Sequence, residues 1–316
     1  MSQNVLNTLT IWVIGFLSLL LILLISWQFT GFRFTLNLLD VYSIRGDVLS
    51  KLPSILQYMY SASSAINPIL FIYALINKNY LLSFFIIIIQ FLSFGINGSK
   101  SVFFMTLLTI AIYYILKENI LQLIVKLVTW LSIFSILEFT YTNSSFLVDF
   151  IVRRVMFVPN LINYYYFDFF TNNVPDFYRQ SVFSMIGINS PYGRIPNMIG
   201  EIYMNNKETA ANGGLVSDAA QNLGFLGAIL SPLILAIFLK LLEDVSKYLD
   251  SRITVVVAIY LSNVLISSTL TTALLTHGIL LVLLILYLMP RNLENRIDKD
   301  RLTNKKGMKS LKGKQI

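Results

Sequence analysis

TIWVIGFLSLLLILLISWQF, residues Thr10 to Phe29, runs for twenty positions without a charged side chain. A hydrocarbon core about 30 Å thick takes about 20 mostly apolar residues to cross as a helix, because in lipid every backbone polar group must find its partner inside the segment. This run therefore predicts a membrane span. No basic residue precedes it and no small-residue cleavage site follows it, so it reads as an anchor and not as a cleaved signal peptide. Seven similar runs follow, roughly at 53–76, 81–97, 101–116, 120–139, 215–239, 253–269 and 272–289. The expected fold class is all-α: a polytopic integral membrane protein of about eight transmembrane helices. Pro53 and Pro68 bracket the second run and the fourth is short, so tilt or a break is expected there.

Composition agrees with that reading. Of 316 residues, 56% are apolar, 14% aromatic and 13% charged, and mean hydropathy is +0.69. A soluble chain is about 45–50% apolar and about 25% charged. The net charge of +8 is not the footprint of a nucleic-acid binder, since nine of the 24 Lys and Arg lie from Arg291 onward, in a terminal tail. The chain has no cysteine, which excludes disulfides, Cys-ligated metal and a thiol nucleophile. Its one histidine, His277, excludes multi-histidine metal sites.

The basic tail predicts a cytoplasmic C terminus, because short cytoplasmic loops and ends retain Lys and Arg. Eight spans then place the N terminus in the cytoplasm too. The expected division is N-terminal spans over 1–139, one large external loop over 140–214, three further spans over 215–289, and a cytoplasmic tail over 290–316. Fifteen basic residues fall inside on this arrangement and nine outside. The external nine run against the usual bias and point to an anionic partner at the outer leaflet.

The 140–214 loop is far longer than a helix connection requires, and loops beyond about 15 residues are usually functional or disordered. Its aromatic density argues for a folded layer against the membrane surface: Phe146, Phe150, Phe157, the run Tyr164-Tyr165-Tyr166-Phe167, Phe169, Phe170, Phe177, Tyr178, Phe183, Tyr192 and Tyr203. Phe146 to Phe157 is apolar apart from Asp149, Arg153 and Arg154, so it reads as an interfacial helix in which Asp149 and Arg153, four apart, pair. Pro159 ends it, and Pro175, Pro191 and Pro196 divide the rest. The tyrosines fit an interfacial belt or a platform for sugar faces, with hydroxyls bonding to carbohydrate. Arg153 and Arg154 fit snorkelling toward headgroups or, as permanently charged forks, binding of diphosphate.

Four stretches together resemble the Wzy type of polysaccharide polymerase, the oligosaccharide repeat-unit polymerases of bacterial surface polysaccharides. They are Val41-Tyr42-Ser43-Ile44-Arg45; Gly98-Ser99-Lys100-Ser101; Ile151-Val152-Arg153-Arg154-Val155-Met156-Phe157-Val158-Pro159 with the aromatic run through Phe170; and Pro196-Asn197-Met198-Ile199-Gly200 through Ala211-Asn212-Gly213-Gly214 to Asn222-Leu223-Gly224-Phe225-Leu226-Gly227. The resemblance covers most of 41–289 in order. Family members commonly have ten or more spans, so either an N-terminal portion is missing or the early spans differ. The Arg-x10-Gly pattern of some relatives is absent.

The resemblance implies a GT-C-like glycosyltransferase that joins undecaprenyl-pyrophosphate-linked oligosaccharides into O antigen or capsule at the outer face of the bacterial inner membrane. It implies no cofactor and no metal, with a chain-length regulator and a flippase as partners by analogy. Arg153 and Arg154, with Arg45, Lys100 or Arg194, are expected to hold the pyrophosphate, and Arg179 is expected to contact substrate. Tyr164, Tyr165, Tyr166 and Asn212 are expected to contact substrate. Candidate bases are Asp149, Asp168, Asp176, Glu201, Glu208, Asp218 and His277; Asp149 reads more simply as the partner of Arg153, while Asp168, Glu201 and the intramembrane His277 stand out. His277 also fits a histidine packed by a neighbouring helix. Gly224 and Gly227 permit close helix packing or approach to lipid. A lipid-linked oligosaccharide flippase or an O-antigen ligase are the competing functions, though a transporter would be expected to show repeated halves.

Overall fold

The computed structural model describes residues 3–33, 51–98, 100–116 and 120–291. The regular secondary structure of the described residues is all helical, with no strand among them. Six helices are long and apolar enough to cross a membrane: Thr8–Thr30, Ile55–Ile76, Tyr80–Asn97, Ile124–Thr142, Phe225–Ser246 and Leu270–Leu288. Two shorter apolar helices, Phe104–Ile115 and Ser251–Ser267, fall at the fourth and seventh of the expected runs. The chain is a polytopic helical membrane protein.

Its helices are α1 (Gln3–Ile25, continued by a π turn Ser26–Thr30), α2 (Ser54–Ile76), α3 (Tyr80–Asn97), α4 (Lys100–Ile115) and α5 (Ile120–Thr142), a π-helical segment Val148–Phe157, then α6 (Val158–Asn172), α7 (Ile195–Met204), α8 (Leu215–Leu223), α9 (Phe225–Ser246), α10 (Ser251–Ser267), α11 (Leu270–Leu275) and α12 (Ile279–Leu288). They divide into two compact units.

The first unit takes in the described parts of Met1–Tyr113, Lys240–Ile259 and Gly278–Ile316. Within it α1 and α2 run antiparallel in a fixed register. The Trp12 and Tyr73 rings lie 5.7 Å apart, Gly15 faces Leu70, and Ser18 Oγ donates to Asn67 Oδ1 at 3.0 Å. A Cβ on Gly15 would come within 2.7 Å of the Leu70 side chain, so the small residue lets the helices approach. Tyr60 Oη joins α2 to α3 by donating to the Ser93 carbonyl at 2.8 Å. Asn79 accepts from Leu82 N–H and caps the start of α3, while Gly98 in the left-handed region closes its end. Gly278, at φ +69°, seats the start of α12 against Ala62 and Ala65.

The second unit comprises Tyr114–Leu239 and Tyr260–His277. The 19-residue apolar stretch of α5 buries none of its residues, as expected of a helix whose faces meet lipid. Its hydroxyls turn inward on the helix, with Thr129, Ser132 and Ser135 each donating to the carbonyl four residues back. Near its end Glu138 accepts the N–H groups of Phe146 and Leu147 at 3.0 and 2.9 Å, and so caps the π-helical segment. Tyr166, Phe170, Ile195, Ile199, Ala211 and Ala220 then form a core shared by α6, α7 and α8.

The expected run 215–239 is not one helix. Gly224 has φ +55° and ψ −135°, a conformation that L side chains rarely adopt, and it separates α8 from α9. A Cβ on Gly227 would lie 2.0 Å from the Ala219 carbonyl, so both glycines serve a tight fold-back of the chain on itself. The last run is interrupted too, at His277 and Gly278.

Candidate functional site

The segment between α5 and α8 carries the chemistry. On its π-helical stretch, Arg153 pairs with Asp149 at 3.6 Å, with side chains 68% and 52% exposed; Arg154 is exposed as well. An exposed pair of this kind contributes little to stability, so neither guanidinium is required by the fold.

Arg179 has a different setting. Its Nε donates to the Asp176 carbonyl at 2.7 Å and Nη2 to the Pro175 carbonyl at 2.8 Å, and its guanidinium lies over the Phe177 ring at 5.7 Å. The side chain locks its own turn. The fully buried Asp176 completes that lock by accepting from Gln180 N–H at 2.8 Å and from Ser190 Oγ. Gln180 Nε2 then donates to the carbonyls of Tyr192 and Gly193. Arg194, at the start of α7, is exposed, and so is Asn212. Lys100 opens α4. Arg45 lies outside the described residues.

The aromatic run divides by helical phase. Tyr166 faces inward, 1% exposed, and donates to the Ala211 carbonyl at 2.9 Å; it is a core residue and not a substrate contact. Burial pushes its phenol well above the usual range, helped by the charge of Asp218. Tyr164 faces outward, 59% exposed. Tyr165 stacks on Tyr203 of α7 with ring centroids 4.6 Å apart and planes 17° from parallel. The Tyr203 hydroxyl donates to Asp168 Oδ2 at 2.5 Å. Burial and then that carboxylate push the Tyr203 phenol up to about 12, so it remains a donor at neutral pH. Tyr164, Tyr165, Asp168 and Tyr203 thus form one ledge. Glu201 is held by Lys207 at 2.9 Å, both exposed. Tyr203 carried no sequence signal beyond its aromatic type: its partner Asp168 is 35 residues away.

Asp218 is the buried acid of this unit, 4% exposed. Its Oδ2 accepts Leu270 N–H at 2.8 Å, and its Oδ1 accepts Asn222 Nδ2 at 2.8 Å. Asn222 Oδ1 in turn accepts Tyr178 N–H at 2.7 Å. The relay ties the 176–182 turn, α8 and the start of α11 together. No cation pairs with Asp218 among the described residues. Burial lifts its carboxyl to about 6, against the smaller opposing effect of the two donors. Gly214, just before α8, would place a Cβ 2.3 Å from the Leu265 carbonyl oxygen, which explains the glycine where α8 meets α10.

His277 sits at the break after α11, half-buried, and its backbone carbonyl accepts from Tyr260 Oη at 2.8 Å. Among the described residues no group of three or more acidic or histidine side chains is placed to hold a metal ion. No family model matches the chain, and neither a curated protein nor a solved structure is significantly similar to it.

Proposed function

We propose that the protein is an oligosaccharide repeat-unit polymerase, a GT-C-like glycosyltransferase of the inner membrane with both termini in the cytoplasm and the 140–214 segment outside. The observation that carries this reading is that segment itself: between two apolar helices it presents two arginines the fold does not need and a tyrosine ledge bearing a carboxylate. Diphosphate recognition calls for the first and sugar recognition for the second.

In the proposed reaction an acceptor hydroxyl oxygen attacks the anomeric carbon of the donor glycan. The bond from that carbon to the undecaprenyl pyrophosphate oxygen breaks, and its electron pair leaves with the pyrophosphate. Arg153 and Arg154 stabilise that charge without a cofactor, with Arg194 of the same segment as a further cation. The acceptor proton passes to a carboxylate, in this proposal Asp168 on the ledge. Glu201 is occupied by Lys207, and Asp218 by the fold. A chain-length regulator and a flippase would work beside the enzyme.

Loss of the protein tests the class of function. On this reading, cells lacking it display single repeat units on their surface and no ladder of longer polymer on gels. Lipid-linked units retained inside would make it a flippase, and long undecaprenyl-linked polymer left untransferred would make it a ligase; either result overturns the proposal.

A further inference from the structure

We infer that the ledge formed by Tyr164, Asp168 and Tyr203 is a subsite for an uncharged, hydroxyl-bearing pyranose, and that it discriminates against acidic sugars. The inference rests on the polymerase reading for its biological setting, but its physical basis is local. Tyr164 and Asp168 are four residues apart on α6 and so share one helix face. The Tyr164 ring, 59% exposed, stands 6.1 Å from that of Tyr165 at a tilt of 58°. Tyr165 is already covered by its stack on Tyr203, so Tyr164 offers the open face for the C–H side of a sugar ring.

The carboxylate supplies the second contact. Tyr203 fixes Asp168 through Oδ2, and among the described residues no donor is recorded on Oδ1, which is left for an incoming one. A carboxylate only accepts, so its ligand must donate, as a sugar hydroxyl does. No ion pair involves Asp168 among the described residues, whereas Glu201, on the same helix as Tyr203, is matched by Lys207. A uronate carboxylate placed on Tyr164 would therefore meet Asp168, a carboxylate that no ion pair neutralises among the described residues, and be repelled. Tyr203 acts here as a positioning residue for Asp168.

Saturation-transfer NMR on the full-length protein in nanodiscs tests this with two probes, the methyl glycosides of N-acetylglucosamine and of glucuronic acid. The expected result is transfer to the neutral glycoside, with transfer to the uronide weaker by about fivefold or more. Tyr164→Ala should reduce the neutral signal about fivefold, as loss of one aromatic face implies. Asp168→Asn should narrow the difference between the probes, because it removes the repulsion and retains the Tyr203 bond. Equal binding of the two probes, or signals unchanged in both variants, would overturn the inference. Polymer formation by the Tyr164→Ala protein separates the two claims: a normal ladder with lost glycoside binding leaves the subsite standing and counts against its use in polymerisation.

Discussion

Replacing Arg153 and Arg154 together with alanine is expected to abolish polymer while leaving the amount of protein in the membrane unchanged. Both side chains are exposed, and Asp149, the ion-pair partner of Arg153 among the described residues, is itself half in solvent. Removal therefore costs the fold little. The reaction is different, because a donor aimed at developing charge contributes about 10²–10³ in rate when it is removed singly. The double variant should fall to background, and Arg154→Lys should keep partial activity, since lysine retains the charge without the two-pronged geometry. Ladder gels at matched protein level check this. Polymer of normal length from the double variant would remove the proposed pyrophosphate site.

The second large effect is on the fold. Asp218→Ala strips the acceptor from the part-buried Leu270 N–H and the buried Asn222 amide, at about 1–3 kcal/mol each, partly offset by relief from burying a carboxylate. The net loss should be about 2–4 kcal/mol, read as a lowered thermal midpoint of the purified protein. Asp218→Asn keeps the shape and exposes the pH dependence. The ordinary carboxyl value of 3.8 is raised to about 6 in the fold, so between these values the folded chain holds a proton that the unfolded chain releases. The stabilisation from that proton is complete below about pH 4 and is lost as pH rises through about 6, amounting to roughly 1–3 kcal/mol. The midpoint of the wild-type protein relative to Asp218→Asn should therefore decline from pH 4 to pH 7. A difference that stayed flat or grew with pH would show that Asp218 is not buried as a titrating acid. The groups that face it, Tyr166 and Tyr178, are both raised by burial and further by its charge, and do not titrate in this window.

The helical membrane character was legible in Thr10 to Phe29 because hydropathy and length alone decide it. Breaks in the later runs were not. Residues 215–239 read as one apolar run, since the turn at Gly224 depends on a single backbone torsion that hydropathy does not register. In the same way α12 looks continuous with α11 until Gly278 adopts a positive φ. The exposure of α5 was equally hidden, because an apolar helix has the same sequence whether it faces lipid or protein.

The ledge was half legible. Tyr164, Tyr165 and Asp168 stand together in sequence, and the i, i+4 spacing of Tyr164 and Asp168 gives them one face. That Tyr166 turns inward follows from phase, but the side of α6 that meets the core depends on α7 and α8. Tyr203 and the burial of Asp218 arise from contacts across 35 and 52 residues, which local pattern does not carry. Arg179 shows the converse: its charge suggested a ligand contact, and a turn closed by Asp176 took it instead.

Reconstituted polymerisation tests the central claim most directly. The purified protein in liposomes, given undecaprenyl-pyrophosphate-linked repeat units as sole substrate, is predicted to yield chains of two or more units and to release one undecaprenyl pyrophosphate per linkage, with no such product from the Arg153→Ala, Arg154→Ala double variant. Repeat units that stay single, or that only change leaflet, would contradict the account.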